Sequence, residues 1–442
     1  MANLLATSQH RLSAGRALPR AAAFWLVAST TAALLAASSA PSPLYPVFQA
    51  EFGFSAVTLT GIFAVYVLAL LLSLLTVGRL SDFLGRRPVL AVALILEAAA
   101  MAVFLGADGV APLVVARTIQ GLATGAAVGV LGAYLLDLQP GDGSRLGSLV
   151  NSAAPTSGLG VGAIVSGVLV EYAPHPTRLV FAILTAVFVA LALATAALPE
   201  TVQRIPGAFA ALRPQVAVPV RARRAFAAAI PTMVATWALG GLVLSVGGSL
   251  LGSVFGQTNH AVVGLVIGLF AAAGAGAAVL GRDLPPAPMT RLGTVALATG
   301  TAIFVVAVAG SSLSAFVVAS IVAGGGFGLA FLGALRSVTQ LAQPHERAAL
   351  LSAVYVVSYL AFSVPAVVAG LLITHVGLRD TSLGYGGFVA LLAVGTLGYE
   401  QLAGRPRRRA AQSSDGHCQA APNQADRAGG LGRIAVRASG ED

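Results

Sequence analysis

Long apolar segments recur along this chain and leave it few possible folds. A helix needs about 17 or more consecutive apolar residues to cross a bilayer, and twelve segments of the 442-residue chain reach that length. Only 10% of the residues are charged, against about 25% in soluble domains. The sequence therefore predicts an all-α polytopic membrane protein with 12 transmembrane helices. The predicted spans lie near 21–39, 56–77, 89–106, 113–136, 146–170, 179–198, 226–253, 261–280, 292–309, 314–335, 348–372 and 383–399.

The first apolar run could also be a cleaved signal peptide, because three arginines precede it and small residues follow it. Eleven further apolar segments come after it. We therefore interpret it as an uncleaved first span, preceded by an N-terminal tail.

Arginine is distributed very unevenly between alternate loops. All 26 basic residues are Arg, and 23 of them fall on one predicted side, whereas only Arg178 and Arg379 fall on the other. The positive-inside rule then predicts that both termini are cytoplasmic. The net charge of +10 has this topological origin, so we expect no nucleic-acid partner. The exclusive use of Arg favours a GC-rich bacterial source, and hence the bacterial cytoplasmic (inner) membrane.

A long polar break divides the apolar segments into six and six. We predict five parts along the chain, and they are a cytoplasmic N-tail at 1–20, an N-terminal six-helix bundle at 21–198, a cytoplasmic central loop at 199–225, a C-terminal six-helix bundle at 226–402 and a disordered cytoplasmic tail at 403–442.

An internal repeat supports this division, because an offset of 203 residues relates matching positions in the two halves. The matching positions are Gly78 and Gly281, Gly121 and Gly324, and Gly167 and Gly370. Parallel six-span repeats are a known transporter architecture. The offset therefore predicts two pseudo-symmetric six-helix bundles.

The most specific motif joins the second and third predicted spans. Gly78 and Gly85 permit close helix approach and a tight turn. Asp82 can accept from Arg86 or interact with the positive end of a helix, while Arg86 and Arg87 hold the loop inside. A loop that only sets topology would need the arginines but not this spacing.

This loop resembles the signature loop of the major facilitator superfamily, Gly-x-Leu-Ala-Asp-Arg-x-Gly-Arg-Arg, with Ser81 and Phe83 as departures. The resemblance extends to the number of spans, the topology and the long central loop. It implies a conformational latch in which Asp82 engages the start of span 11 when the cytoplasmic side is closed. It also implies that Arg86 pairs with an acid at the inner end of span 4, where Asp137 lies.

Two charged residues fall inside predicted spans, Glu97 in span 3 and Arg117 in span 4. A charge at mid-helix costs roughly 2.5–3.5 kcal/mol on insertion scales, so both are functional candidates. Arg117, Gln120 and Gly121 are similar to an Arg-x-x-Gln-Gly signature of the superfamily, which implies proton coupling. A structural Arg117 bonded to backbone carbonyls is the alternative, and a neutral Glu97 facing other helices is the alternative for the carboxyl group.

Span 5 carries small residues at Gly158, Gly162, Ala163 and Gly167, a spacing that lets two helices pack closely. The segment resembles an element of the drug:proton antiporter branch, although Ala163 replaces its Pro and Ser166 replaces a Gly. Generic helix packing remains an equal interpretation.

Candidates for lining a central substrate cavity are polar or aromatic residues within spans. They are Tyr66, Asn151, Trp237, Tyr355 and Tyr359. Tyr and Trp also belong at membrane interfaces. Their character favours an uncharged or amphipathic substrate.

The sequence thus predicts a secondary transporter that works by alternating access, with proton-coupled efflux of drug-like or amphipathic compounds. The alternatives are uptake or facilitated diffusion of a small metabolite, and a non-transporting membrane sensor. The expected partners are a small-molecule substrate, a coupling proton and the lipid bilayer, and we expect a monomer.

An intramembrane enzyme is not predicted, because all six His fall in predicted loops or tails and no catalytic cluster forms at one depth. The chain has no Lys and therefore no Walker A motif, which excludes ATP as the direct energy source. Its single Cys excludes a cysteine-based metal site, and we expect no metal or cofactor.

Overall fold

A computed structural model of the chain describes residues 17–141, 146–343 and 345–419, without the side chains of 148, 210 and 399–419. In these residues the fold is helical and contains no strand. Twelve helices are long and apolar enough to cross a membrane, which confirms the predicted fold class. Spans 1 to 12 are the helices Arg20–Ser39, Ala56–Val77, Arg86–Leu105, Val110–Leu138, Leu146–Tyr172, Pro176–Ala194, Arg223–Phe255, His260–Leu280, Pro286–Ala309, Leu313–Thr339, Arg347–Val376 and Leu378–Gln419.

Several helices begin earlier than their apolar segments. Span 7 starts at Arg223 and span 12 at Leu378, because polar side chains at a helix end can continue the helical turns while their charged groups reach the interface. A short helix, Tyr45–Phe52, follows span 1 and was not predicted. Short helices also occupy Ser81–Leu84 and Ala208–Ala211.

The chain forms two compact units, one ending at Thr396 and one beginning at Leu397. The first unit holds spans 1 to 11 and the part of the span 12 helix up to Thr396, and the second unit begins within that helix. The predicted division into five parts stays a prediction, since residues 1–16 and 420–442 lie outside the described residues.

Glycines bring the helices of the first half into backbone contact. A Cβ built on Gly158 would lie 2.3 Å from the backbone oxygen of Ala32, and one on Gly162 would lie 2.1 Å from that of Ala36. Span 5 therefore packs on span 1 with backbone against backbone at these two positions. In the same way, a Cβ on Gly121 would lie 2.3 Å from the backbone oxygen of Tyr66, so span 4 packs on span 2.

The second half repeats this packing. A Cβ on Gly324 would lie 2.1 Å from the backbone oxygen of Phe270, and one on Gly328 would lie 2.1 Å from that of Gly274. Span 10 thus packs on span 8 as span 4 packs on span 2, and Gly324 is the residue that the repeat offset relates to Gly121. The tertiary packing agrees with the predicted pseudo-symmetry.

The two halves meet along two helix pairs, span 5 with span 8 and span 2 with span 11. A Cβ on Gly264 would lie 2.4 Å from the backbone oxygen of Ala163, and one on Gly370 would lie 2.0 Å from Oγ1 of Thr60. These pairs exchange under the pseudo-symmetry, because span 2 corresponds to span 8 and span 5 to span 11.

These close approaches lie toward one face of the bundle. We call the face where span 1 begins the arginine-rich face, and the face where span 1 ends the arginine-poor face. Gly167, Gly264, Thr60 and Gly370 all lie in the half of their span nearest the arginine-poor face. There the Oε2 atom of Glu171 accepts from the backbone N–H of His260 at 2.8 Å, which joins span 5 to the start of span 8.

The substitution Gly264→Val tests the contact between the halves. Because a Cβ at this position has no room beside Ala163, we expect an overpacking cost of about 1–3 kcal/mol. The measurement is the midpoint of thermal unfolding of the purified protein in detergent. The control is Gly276→Val in the same helix, where a Cβ would meet nothing within 4 Å. Equal midpoints for the two variants would show that this contact does not stabilise the bundle.

Candidate functional site

The guanidinium group of Arg117 is fully buried in the first half. Its Nη2 and Nε atoms donate to the hydroxyl of Tyr45 at 2.6 and 3.1 Å. Its Nη1 atom donates to the backbone oxygen of Ser38 at 3.1 Å and to Oε1 of Gln120 at 2.7 Å. A buried charge is tolerated when such partners replace water, and spans 1 and 4 and the short helix after span 1 supply them.

Aromatic rings surround the same guanidinium group. Its Cζ atom lies 5.6 Å from the ring centre of Tyr45, 5.0 Å from that of Tyr66 and 5.7 Å from that of Phe104. Such distances allow cation–π attraction. The hydroxyl of Tyr66 donates to Oγ of Ser38 at 2.9 Å, which fixes that ring.

The short helix Tyr45–Phe52 positions the Tyr45 hydroxyl. It has a proline within its first two positions, where the missing N–H costs nothing. Phe48 is buried and its ring stacks on Phe181 of span 6 at 6.4 Å. Oε1 of Gln49 accepts from Oγ of Ser249 at 2.9 Å, so this helix contacts both halves.

Glu97 is fully buried beside Arg117, and Gln120 lies between them. Nε2 of Gln120 donates to Oε1 of Glu97 at 3.2 Å, and its Oε1 accepts from Arg117. The hydroxyl of Thr124 donates to the other oxygen of Glu97 at 3.4 Å. We call Tyr45, Glu97, Arg117, Gln120 and Thr124 the Arg117 cluster.

The structure places Arg86 between two carboxylates of the signature loop region. Its Nη1 atom contacts Oδ1 of Asp82, and its Nε atom lies 3.3 Å from Oδ2 of Asp137. Nη1 also donates to Oγ of Ser81 at 2.8 Å. These contacts join the second loop to the end of span 4, and all of them lie within the first half.

Glu200, which the sequence did not single out, ties the central loop to this region. Its two oxygens accept from the backbone N–H groups of Arg86 at 2.8 Å and Arg87 at 3.1 Å, at the start of span 3. Thr201 adds a hydroxyl bond to Oδ2 of Asp137 at 2.7 Å. A carboxylate is favourable at a helix N-terminus because the free N–H groups and the helix dipole are positive there.

The other end of the central loop is tied to the second half. Arg221 forms an ion pair with Glu346, just before span 11. The backbone N–H of Gln343, and then Arg221, lowers the pKa of Glu346 below its usual value. The backbone N–H of Ala217 donates to the oxygen of Ala349 at 3.2 Å. The central loop thus has one anchor in each half.

The small residues of span 5 divide between two neighbours. Gly158 and Gly162 face span 1, as described above. A Cβ on Gly167 would lie 2.5 Å from the backbone oxygen of His260, and the backbone oxygen of Ala163 faces Gly264. The predicted packing motif therefore joins span 5 both to its own half and to span 8.

The five predicted cavity residues fall in three places. Tyr66 lies against Arg117. Asn151 lies against span 4, with its Oδ1 atom 3.2 Å from a Cβ built on Gly132. Trp237, Tyr355 and Tyr359 lie together in the second half.

Trp237 of span 7 is at the centre of an aromatic group formed with spans 10 and 11. Its ring centre lies 6.0 Å from Phe327, 5.2 Å from Phe331, 5.1 Å from Tyr359 and 5.4 Å from Phe362. Tyr355 stacks on Tyr359 at 5.9 Å. We call these residues the aromatic cluster, and its members are Trp237, Phe327, Phe331, Tyr355, Tyr359 and Phe362.

The sequence profile of the Major Facilitator Superfamily matches residues 27–366, which is more than half of the chain. The chain belongs to the Major Facilitator Superfamily. It is therefore a membrane transporter and not an enzyme.

Solved structures of transporters share the fold of this superfamily member. A bacterial homologue of the human lysosomal transporter Spinster, in an inward-facing and unoccupied conformation, has a TM-score of 0.69 and 14% identity, over 86% of this chain and 96% of that one. The nucleoside transporter NupG has a TM-score of 0.66 and 13% identity, over 85% of this chain and 99% of that one. The human organic anion transporter MFSD10 has a TM-score of 0.61 and 18% identity, over 86% and 100%.

Sequence similarity to a curated protein is more local. An uncharacterized transporter of Rickettsia bellii (strain RML369-C) is 33% identical over 140 residues. The match covers 31% of this superfamily member and 34% of that relative, so the chain spans about a third of the relative's length.

Several residues of the site were not singled out from the sequence, and Tyr45, Glu200 and Phe362 are examples. Tyr45 lies in a proline-containing stretch after span 1, where no helical periodicity links it to Arg117. Glu200 directly follows span 6, far along the chain from the signature loop. In the sequence, Phe362 cannot be distinguished from a phenylalanine that faces lipid. Of these three residues, only Glu200 had a recognisable signal in the sequence, because it is an acidic residue immediately after an apolar span.

The substitution Gly85→Ala tests how the signature loop is held. Gly85 has φ 94° and ψ 153°, and a Cβ there would lie 2.6 Å from Oε2 of Glu200. Gly53→Ala is the control, since Gly53 also has a positive φ, 65°, but nothing within 4 Å. We expect Gly85→Ala to lower the free energy of unfolding by about 1–3 kcal/mol more than the control.

Thermal unfolding of both variants gives the comparison. In a Glu200→Ala background the excess effect of Gly85→Ala should shrink, because the carboxylate that the new methyl group displaces is absent. An excess that is unchanged in this background would show that Glu200 does not determine the requirement for glycine.

Proposed function

We propose that this transporter is a proton-coupled exporter of drug-like or amphipathic small molecules, working as a monomer by alternating access. The observation that carries the proposal is the Arg117 cluster. It holds a carboxyl group and a guanidinium group within one hydrogen-bonded set inside the membrane-spanning part of the first half.

Binding of a single proton changes the net charge of the cluster. With Glu97 ionised, its charge balances that of Arg117, and with Glu97 protonated a net positive charge remains in a region of low dielectric. A change of this size is large inside a membrane. Gln120 bonds to both groups, so protonation of Glu97 also changes the hydrogen bonding of Arg117 and, through it, that of Tyr45.

Spans 1, 3 and 4 and the short helix Tyr45–Phe52 respond together to that change. The short helix also contacts span 7 through Gln49 and Ser249. A proton on Glu97 is thus coupled to the contact between the halves, which is what coupled transport requires. Each proton that enters with the membrane potential releases about 2.3 kcal/mol per 100 mV.

The distribution of arginine supports an orientation for this cycle. If both termini are cytoplasmic in a bacterial inner membrane, the arginine-poor face is external. The contacts between Gly167 and Gly264 and between Thr60 and Gly370 then close the external side. On this basis we assign the structure to the inward-facing state. In this state Asp82 bonds to Arg86, and the latch role that we propose for it belongs to the outward-facing state.

Flux measurements on the reconstituted transporter test proton coupling. Proteoliposomes loaded with a fluorescent amphipathic dye should release or accumulate it in the direction set by an imposed pH gradient. Arg117→Ala should abolish the gradient-driven flux, and Glu97→Gln, which keeps the shape of the side chain but cannot ionise, should make flux independent of the gradient. Arg178→Ala, outside the cluster, is the control and should leave the flux unchanged.

If the wild-type flux does not change with a pH gradient of either sign, proton-coupled export is wrong. Facilitated diffusion or uptake of a small metabolite would then be the favoured function. Gradient-driven flux retained by both Arg117→Ala and Glu97→Gln would remove the cluster from the coupling mechanism. A purified protein that moves no member of a broad compound panel would favour the sensor alternative.

Asp82→Asn tests the latch. We expect slower transport with normal membrane insertion, because the neutral amide holds the closed cytoplasmic side less strongly than the carboxylate. Initial flux rates and the amount of protein in the membrane are the two measurements. Asp283→Asn, in the corresponding loop of the second half, is the matched control. Unchanged flux in Asp82→Asn would remove the latch assignment.

A further inference from the structure

Spans 7 and 11, which carry Trp237 and Tyr359, also hold buried polar side-chain atoms without a hydrogen-bond partner. Among the described residues, the buried side-chain polar atoms without a hydrogen-bond partner are Oγ1 of Thr232, Nε1 of Trp237 and Oγ of Ser358. All three belong to spans 7 and 11. A buried donor without a partner is unfavourable, so three such groups on two helices that pack together require an explanation.

The indole of Trp237 is the best placed of the three. Its ring is partly exposed while its Nε1 atom is covered. Four aromatic rings stand within 6.0 Å of it, most of them edge-on. Such rings offer apolar surfaces to a flat molecule, and the indole N–H is a single directional donor beside them.

Phe362 packs against the indole of Trp237 and connects it to the other half. Its ring centre lies 5.4 Å from that of Trp237 and 5.1 Å from that of Phe63 in span 2. Glycines in span 7 make room for it, since a Cβ on Gly240 would lie 3.2 Å from Cε2 of Phe362 and one on Gly241 would lie 2.3 Å from its backbone oxygen. A movement of the halves therefore changes the packing around the indole of Trp237.

The described side chains of spans 7 to 11 place no charge at the depth of the aromatic cluster. In spans 7 to 11 the described charged side chains other than His lie within about two helical turns of a helix end. They are Arg223, Arg224, Arg291, Arg336 and Arg347. An ion in the aromatic cluster would lose its hydration and find no counter-charge in this half.

We propose that the aromatic cluster is the substrate site and that it takes an uncharged, planar aromatic molecule whose ring edge carries a hydrogen-bond acceptor for Nε1 of Trp237. The flat faces contact Tyr359 and Phe362, and the acceptor fills the bond that the indole lacks. This assignment rests on the transport function proposed above, and it names the chemical class that the transporter carries.

A matched set of three bicyclic compounds tests the class. Quinoline has the ring nitrogen as an acceptor, naphthalene has the same shape without it, and N-methylquinolinium has the shape with a fixed charge. Binding of the radiolabelled compounds to the purified full-length protein is measured by scintillation proximity. We expect quinoline to bind about tenfold more tightly than naphthalene, which corresponds to about 1.4 kcal/mol, and N-methylquinolinium to bind more weakly than quinoline.

Trp237→Phe keeps an aromatic ring and removes the donor. In this variant the preference for quinoline over naphthalene should fall to about onefold while naphthalene binding stays near the wild-type level. The chain has only two tryptophans, and Trp25→Phe is the matched control, because Trp25 is 59% exposed on the outside of span 1. It should keep the full preference.

Equal affinities for quinoline and naphthalene in the wild-type protein would overturn the proposal, and this comparison needs no variant. A preference that survives Trp237→Phe, or tighter binding of N-methylquinolinium than of quinoline, would overturn it as well.

The Glu97→Gln variant separates this assignment from the transport proposal. It should bind quinoline with the wild-type preference while its flux ignores the pH gradient. If the wild-type preference holds but no flux follows a gradient, the site stands and proton coupling fails. If flux follows the gradient but the preference is absent, proton coupling stands and the site fails.

Discussion

The donors of the Arg117 guanidinium group must find their acceptors inside the protein, because the bilayer core offers none. That requirement joins elements which are separate along the chain. The end of span 1 supplies a backbone oxygen, the short helix after it supplies the Tyr45 hydroxyl, and span 4 supplies Gln120. Glu97 of span 3 is then held by the other end of Gln120. A single buried charge thus organises much of the first half.

Among its described side chains, the second half has no such charged centre, and an aromatic cluster lies in its interior. Trp237 and the rings around it take the place that hydrogen bonds occupy in the first half. The repeat offset carries Arg117 onto Ser320, whose hydroxyl bonds within its own helix to the oxygen of Phe316. The two halves share a helix arrangement but differ in chemistry. This asymmetry agrees with our proposal that the first half binds the coupling proton and the second half binds the substrate.

The helix pairs between the halves pack closely, with backbone against backbone. Gly167 and Gly264 bring two helices together with almost no interlocking side chains, and such surfaces are held by van der Waals contact and by weak polar bonds. The bond from His260 to Glu171 closes one end of that surface. At the arginine-rich face, the contacts of Arg86, Asp137 and Glu200 join loops within the first half. The central loop, with an anchor in each half, spans the two.

Much of this was visible in the sequence. The span count, the division into six and six, and the glycines of spans 4, 5 and 10 follow from hydropathy and spacing, because lipid imposes a length and close packing imposes small residues. Glu97 and Arg117 were identified because charge is rare in a span. Tyr45, Glu200 and Phe362 were not, since their partners lie 72, 114 and 125 residues away along the chain.

The sequence by itself determined the twelve segments that form helices long and apolar enough to cross a membrane in the described part of the chain, and the positions of the charges and glycines along them. Helix length, apolar composition and arginine bias are local properties, and they act residue by residue. Only the tertiary structure decided that Gln120 lies between Glu97 and Arg117, that Glu200 holds the start of span 3, and that the indole N–H of Trp237 has no partner. Those facts depend on the rotation and depth of each helix against its neighbours, which no periodicity along the chain specifies.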